Sequence, residues 1–219
     1  MRALILFVGL FLTLMTVGET ASAQRVVGEV LRVQGEASAS LNGTNAALTV
    51  GSPIQENAVV ATGRQARLVV AFLDRSELTM GENGRIVIDS LVFSPDASTN
   101  QRYAQSLRVI DGTFRLLTGG IAKADRAAIV VRTPVATIGI RGTDFFGGPM
   151  EVGMPPGQLH YGFLRIDGAI DVQTAQGSVT LDDVNEGTFL PMAGGEAPTP
   201  PAIWSQRALD EAFASIAFR

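Results

Sequence analysis

The chain of 219 residues contains no cysteine. Disulfides, thiolate metal sites and a lipid-modified cysteine are excluded with it. Lysine is nearly missing too. Lys123 stands alone against sixteen arginines, and no basic cluster forms, so nucleic acid is not an expected partner. His160 is the single histidine, and one histidine without cysteine cannot assemble a usual zinc site. No serine nucleophile motif accompanies it, no glycine-rich phosphate loop opens a helix, and the spaced aspartates of a calcium loop are missing. Asp182 and Asp183 are adjacent, and adjacent acids on a strand point to opposite faces, so neither they nor Asp144 make a catalytic dyad. His160 alternates with Gly162, Leu164 and Ile166 and reads as a partly buried structural residue. The sequence thus names no catalytic residue, no metal ligands and no cofactor.

Long apolar runs are also scarce. One exists, Ala3 to Val17, preceded by Arg2 and followed by Ala21-Ser22-Ala23, the small-x-small pattern of a signal-peptide cleavage site. The expected leader is 1–23, with a mature chain starting at Gln24. No later run is long enough to span a bilayer, so no stable membrane insertion is expected after cleavage. The remaining 196 residues suffice for one substantial domain, which must be held by its core alone. The expected location is periplasmic or secreted. The net charge of −4 survives removal of the leader, which takes one Arg and one Glu.

What is present, from Arg25 to Leu190, is a series of short apolar strands broken by glycine turns. Val26–Val33, Ala66–Leu73, Arg85–Asp89, Arg102–Ile110 and Ala127–Arg132 are rich in Val, Ile, Leu and Phe, and several alternate. Asn42-Gly43, Asn83-Gly84, Asp111-Gly112, Asp167-Gly168 and Gln176-Gly177 are turn dipeptides. The expected fold is all-β, a sandwich or a short solenoid-like stack of antiparallel strands with one C-terminal amphipathic helix. Its parts are a β domain over 24–192, a Pro/Gly linker over 193–202 and the helix region over 203–219. A Gly-Thr-x-Phe echo at Gly112, Gly142 and Gly187 reads as one turn-into-strand solution used three times. Gly147–Gly157, with Pro149, Pro155 and Pro156, is expected to be an exposed loop.

The segment Val131-Arg132-Thr133-Pro134-Val135-Ala136-Thr137-Ile138-Gly139-Ile140-Arg141-Gly142-Thr143-Asp144-Phe145 resembles the signature of FecR domains, a Thr-Pro, an apolar alternation, then Arg-Gly-Thr and an aromatic. The resemblance extends over about Arg25 to Leu190. Gly28, Val30 and Gly35 look like the opening strand, and Val50-Gly51 through Ala61-Thr62-Gly63 is similar to a following strand pair. Asp74-Arg75-Ser76 stands where family members have Asp-Gly-Ser, so that turn must be of another type or strained. FecR regulators of iron uptake carry a cytoplasmic anti-sigma segment and a membrane span. Here the expected leader abuts the FecR-like region, so those parts are not expected. The resemblance then implies a free, non-catalytic FecR domain that binds and signals to a protein of the cell envelope.

Read from the residues alone, Pro134 pushes Thr133 to an extended backbone and a strand is expected to begin there, covered on both faces. Arg141 arrives where burial ends and can satisfy turn carbonyls or a carboxylate; Gly142 holds a turn. Thr133, Pro134, Arg141, Gly142, Thr143 and Phe145 are therefore structural or recognition residues. Met150, Met154, Pro155 and Pro156 suit an adaptable partner-binding loop. At the C-terminus Ser205 is an N-cap, Trp204 and Leu209 are placed as a hydrophobic staple, and Leu209, Phe213 and Ile216 share an arc with Ala212. Trp204, Leu209, Phe213 and Ile216 are the expected docking residues, onto the β domain or a partner. Self-association through sheet edges is the alternative role, and a carboxylate hydrolase a remote one.

Overall fold

The computed structural model describes residues 25–92, 104–124 and 128–219; the leader expected over 1–23, Arg102 and Ala127 lie outside them. The chain lays strands alternately into two sheets. After β1 (Val26–Gln34) in the first sheet it crosses to the second for the hairpin β2 (Ala37–Leu41) and β3 (Thr44–Ala47). It returns for β4 (Pro53–Gln55), crosses for β5 (Val59–Thr62), and returns for the hairpin β6 (Arg67–Phe72) and β7 (Glu77–Met80). The second sheet next receives β8 (Arg85–Val92) and β9 (Ala104–Asp111), and the first receives β10 (Phe114–Leu117). A short helix α1 (Gly120–Ala124) leads to the hairpin β11 (Ile129–Arg132) and β12 (Thr137–Ile140) in the second sheet. Then follow β13 (Asp144–Met150) and β14 (His160–Asp167), β15 (Ile170–Gln173) and β16 (Ser178–Leu181), and β17 (Glu186–Pro191) and β18 (Ala202–Ile203), again pair by pair across the layers. The C-terminal helix is α2 (Gln206–Ile216).

The first sheet runs β18-β17-β14-β13-β10-β7-β6-β1-β4 and the second β16-β15-β12-β11-β9-β8-β5-β2-β3. Apart from β4 and β3 at one end, both sheets add strands in chain order. The molecule is therefore a two-layer sandwich that grows like a solenoid, and the two expected architectures are one. Among the described residues all pairings are antiparallel except β9 with β11, which are parallel because the chain visits the first sheet between them. Large apolar side chains explain the layers. Leu68, Val70 and Phe72 of β6, Ile86 and Ile88 of β8, and Val131, Ile138 and Val172 of the second sheet meet in one buried core.

The turn dipeptides act as their chemistry requires. Asn42 and Gly43 both have positive φ, 51° and 81°, the two-residue turn that matches the twist of β2 and β3. Of the Gly-Thr-x-Phe copies, the first two lead into β10 and β13, where Phe114 and Phe145 meet edge to face at 5.6 Å. The third lies inside β17 and marks no turn. Helix α1 was not legible in the sequence, because tertiary bonds hold it. Gly120 N donates to the Asp74 carbonyl (2.6 Å) and Ile121 N to its carboxylate (3.3 Å). Arg75, in the expected glycine position, sits at φ 67°, a left-handed conformation unusual for its type.

Candidate recognition surface

The Thr133–Phe145 motif proves to be a connector between the layers. Thr133 and Pro134 form the tip joining β11 to β12, not the start of a strand. Thr133 Oγ1 donates to Ala136 O (2.9 Å) and accepts from Ala136 N (3.1 Å), closing the turn before β12 opens at Thr137. Nor is β12 covered on both faces. Ile138 and Ile140 are buried, whereas Thr137 is exposed and Gly139 half-buried. Thr133 and Thr137 border a recess of about 550 Å³ shared with Gln173 and Gln176 of the neighbouring hairpin.

Arg141 places Nε (3.0 Å) and Nη2 (2.6 Å) on one oxygen of Asp171 in β15, whose other oxygen accepts from Thr180 Oγ1 (2.7 Å). The Arg141 side chain is 55% exposed, so this pair orders a surface rather than holding the core. Gly142 follows at φ 68° with open space around its missing side chain. Its carbonyl presses on Gly168 so closely that a Cβ there would stand 1.9 Å from it. Thr143 is buried. It accepts from Thr118 through its carbonyl, gives its N–H to Thr118 Oγ1 (2.8 Å), and donates its hydroxyl to the Asp167 carbonyl. Asp144 is no solvated acid. Arg115, one strand away, donates Nε (2.7 Å) and Nη2 (2.5 Å) to its two oxygens, and that hydrogen bonding holds the guanidinium above its ordinary pKa. Phe145 is fully buried. A second buried network, Asp74–Ser76–Gln105, lies nearby and had no sequence signal beyond the Asp-x-Ser triplet.

The expected loop is shorter than its composition indicated. Gly147 to Met150 belong to β13 and pair with β14. The glycines serve close approach, since a Cβ on Gly147 would stand 2.8 Å from the Phe114 ring. Pro149 is tolerated because β10 begins at Phe114, opposite Gly147, leaving no ladder bond to lose on that side. Met150 is buried and cannot act as a contact residue. The true loop, 151–159, consists of two tight turns, Met154 N to Glu151 O (2.9 Å) and Gln158 N to Pro155 O (3.0 Å). Pro155, Pro156 and Leu159 are exposed, and Met154 is half-buried.

The loop and the helix, expected as separate features, meet on the outer face of the first sheet. Phe146, Met150, Val152 and Leu164 form a second core with Trp204, Ala208, Ala212 and Ile216. Glu151 N donates to Glu211 Oε1 (2.5 Å), tying the loop to α2. Ser205 caps the helix, accepting from Ala208 N (3.4 Å). The docked face is rotated from the expected arc. Ala208, Ala212 and Ile216 are buried and Leu209 partly so, while Phe213 is 38% exposed. The segment before it is not free either, because Thr199 N donates to the Phe189 carbonyl and its hydroxyl meets Thr188. His160 stacks on Phe189 (4.0 Å), which stacks on Trp204 (4.8 Å). Burial pushes the His160 imidazole below its usual pKa, against the pull of Glu211.

Among the described residues no three His, Asp or Glu side chains converge, and no helix is long and apolar enough to cross a membrane. Two crystal structures of a candidate anti-sigma factor from Parabacteroides distasonis, at 2.50 and 1.65 Å resolution, align with 69% of the chain at 10% identity and a TM-score of 0.47. The chain spans 61% of the length of that protein. No curated protein matches the sequence. The FecR protein family model matches residues 58–180, more than half of the chain and all of the Thr133–Phe145 motif, and the chain belongs to the FecR family.

Proposed function

We propose that this chain is an exported, non-catalytic FecR-type signalling module that recognises a protein of the cell envelope after loss of the leader 1–23. Family membership supports the signalling class. The observation that carries the recognition reading is the 151–159 loop. It is fixed at its base by buried Met150 and Val152 and by the Glu151–Glu211 bond, yet it holds Pro155, Pro156 and Leu159 in solvent. A rigid base with exposed prolines presents contact area at low ordering cost. The six motif residues Thr133, Pro134, Arg141, Gly142, Thr143 and Phe145 lie at the other end of β13 and on the connector that leads into it, and among them Pro134, Arg141 and Gly142 are exposed.

Replacing Met154–Gln158 with a Gly/Ser linker, leaving Met150 and Val152 intact, is expected to keep the melting temperature within a few degrees and abolish capture of the envelope partner. Unchanged capture overturns the reading. Self-association is the second reading, and β3 favours it. Thr44–Ala47 is an uncharged edge strand with all four residues exposed. Concentration-dependent oligomers that Asn45→Pro disperses would support that role instead.

A further inference from the structure

Arg67 is the most heavily buried arginine of the described residues whose charge has no counterpart. It opens β6 on the outward face, alternating with the inward Leu68, and is 5% exposed. Nη1 donates to the Ala66 carbonyl (2.7 Å), but Nε is buried with no acceptor, and among the described residues no carboxylate lies within ion-pair distance. Charged side chains are rarely buried unless paired, because the lost hydration must be replaced.

Arg67 lines a recess of about 470 Å³ together with Gln34, Arg64, Gln65, Glu82 and Arg219. The tail beyond α2 builds one wall. Phe218 lies beneath the Arg32 guanidinium (4.2 Å), and Arg219 N donates to Gln34 Oε1 (2.8 Å), directly opposite Arg67 in the β1–β6 register. Glu82 is engaged by Gln65 N (2.6 Å) and does not pair with Arg67. Three guanidinium groups therefore share the recess with one carboxylate, a side-chain balance of +2.

We propose that this recess binds a small phosphate monoester, with Arg67 as the central contact and Arg64 and Arg219 closing on the remaining oxygens. A monoester carries a charge near −2 at neutral pH and matches the lining better than a single carboxylate does. The volume exceeds what a bare phosphate needs and leaves room for a small organic group. An incoming oxyanion would give the Arg67 charge the anionic partner it lacks. The partial negative charge at the C-terminal end of α2 opposes an anion, and the side-chain balance of +2 outweighs it. The inference is independent of the recognition loop, since partner capture can fail without moving the phosphate response.

The test is thermal unfolding of the purified full chain against rising inorganic phosphate and glycerol 3-phosphate, with chloride at matched ionic strength. A saturable rise in melting temperature is expected for the parent, larger with glycerol 3-phosphate, and none for Arg67→Met. In phosphate-free buffer Arg67→Met is expected to melt at or above the parent, because an unpaired buried charge has been removed. An equal response in both proteins, the same rise with chloride, or a lower melting temperature of Arg67→Met without phosphate would overturn the proposal. A second arm separates the sources. Sedimentation with phosphatidic acid vesicles, reversed by glycerol 3-phosphate, assigns a lipid headgroup, and glycerol 3-phosphate binding without sedimentation assigns a soluble ester. Sedimentation unaffected by Arg67→Met counts against the site.

Discussion

Trp204→Ala probes whether α2 is part of the folded unit. The indole is 6% exposed and lies on a floor of two glycines. A Cβ at Gly187 would stand 2.2 Å from its Nε1, and one at Gly162 2.8 Å from its Cη2. Phe189 stacks parallel to it at 4.8 Å, within 1°. Neither glycine can fill the space that truncation leaves, so the cavity persists, and a buried Trp→Ala change costs about 3–5 kcal/mol. For a domain of this size each kcal/mol moves the melting temperature by about 2–4 °C, so a fall of roughly 6–20 °C is expected by far-ultraviolet circular dichroism. Phe213→Ala, on the more exposed side of the same helix, should cost less, no more than about 1.5 kcal/mol. If Trp204→Ala melts with the parent while Phe213→Ala falls, α2 docks by its other face and the packing argument is wrong.

Three further outcomes are expected. Gly142→Ala should cost about 1–2 kcal/mol for its positive φ alone, whereas Gly168→Ala, whose Cβ would meet the Gly142 carbonyl, should cost at least about 3 kcal/mol by urea denaturation. Equal costs would mean the two backbones do not touch. Arg75→Gly should stabilise by about 0.5–1 kcal/mol, the relief of left-handed strain less the entropy glycine loses on folding, with thermal unfolding as the check. The His160 pKa is lower folded than unfolded, so the unfolded chain takes up its proton first. Stability should be flat above the ordinary histidine pKa and decline as pH falls through it, a slope that His160→Phe removes in urea titrations between about pH 8 and 5.

Local chemistry was legible in the sequence and tertiary partnerships were not. The Asn42-Gly43 turn, the apolar strands within Ala66–Leu73 and Arg85–Asp89 and the Ser205 cap each depend on neighbours within a few residues, and each stands as read. The turn at Arg75, which the family resemblance implied to be of another type or strained, has a left-handed backbone. The motif was visible as a pattern, but Asp171 for Arg141 and Arg115 for Asp144 come from strands about thirty residues away. Glycine and proline in 147–150 implied a loop, and the fold used them for close approach beside Phe114 and beyond the start of β10. Helical periodicity gave the existence of an amphipathic face on α2. Its rotation was set by the small residues Ala208 and Ala212, which let the helix lie close to the sheet and turned Phe213 outward. Arg67 had no signal at all, because its isolation exists only once the surrounding charges have been placed.

The central claim is recognition of an envelope protein through the 151–159 loop. Photo-crosslinking in intact cells from a probe at Pro156, compared with a probe at Asn45 on the β3 edge, tests it most directly. A single heterologous adduct from Pro156, missing from Asn45, is the predicted result; no adduct from Pro156, or adducts of the chain with itself alone, would contradict it.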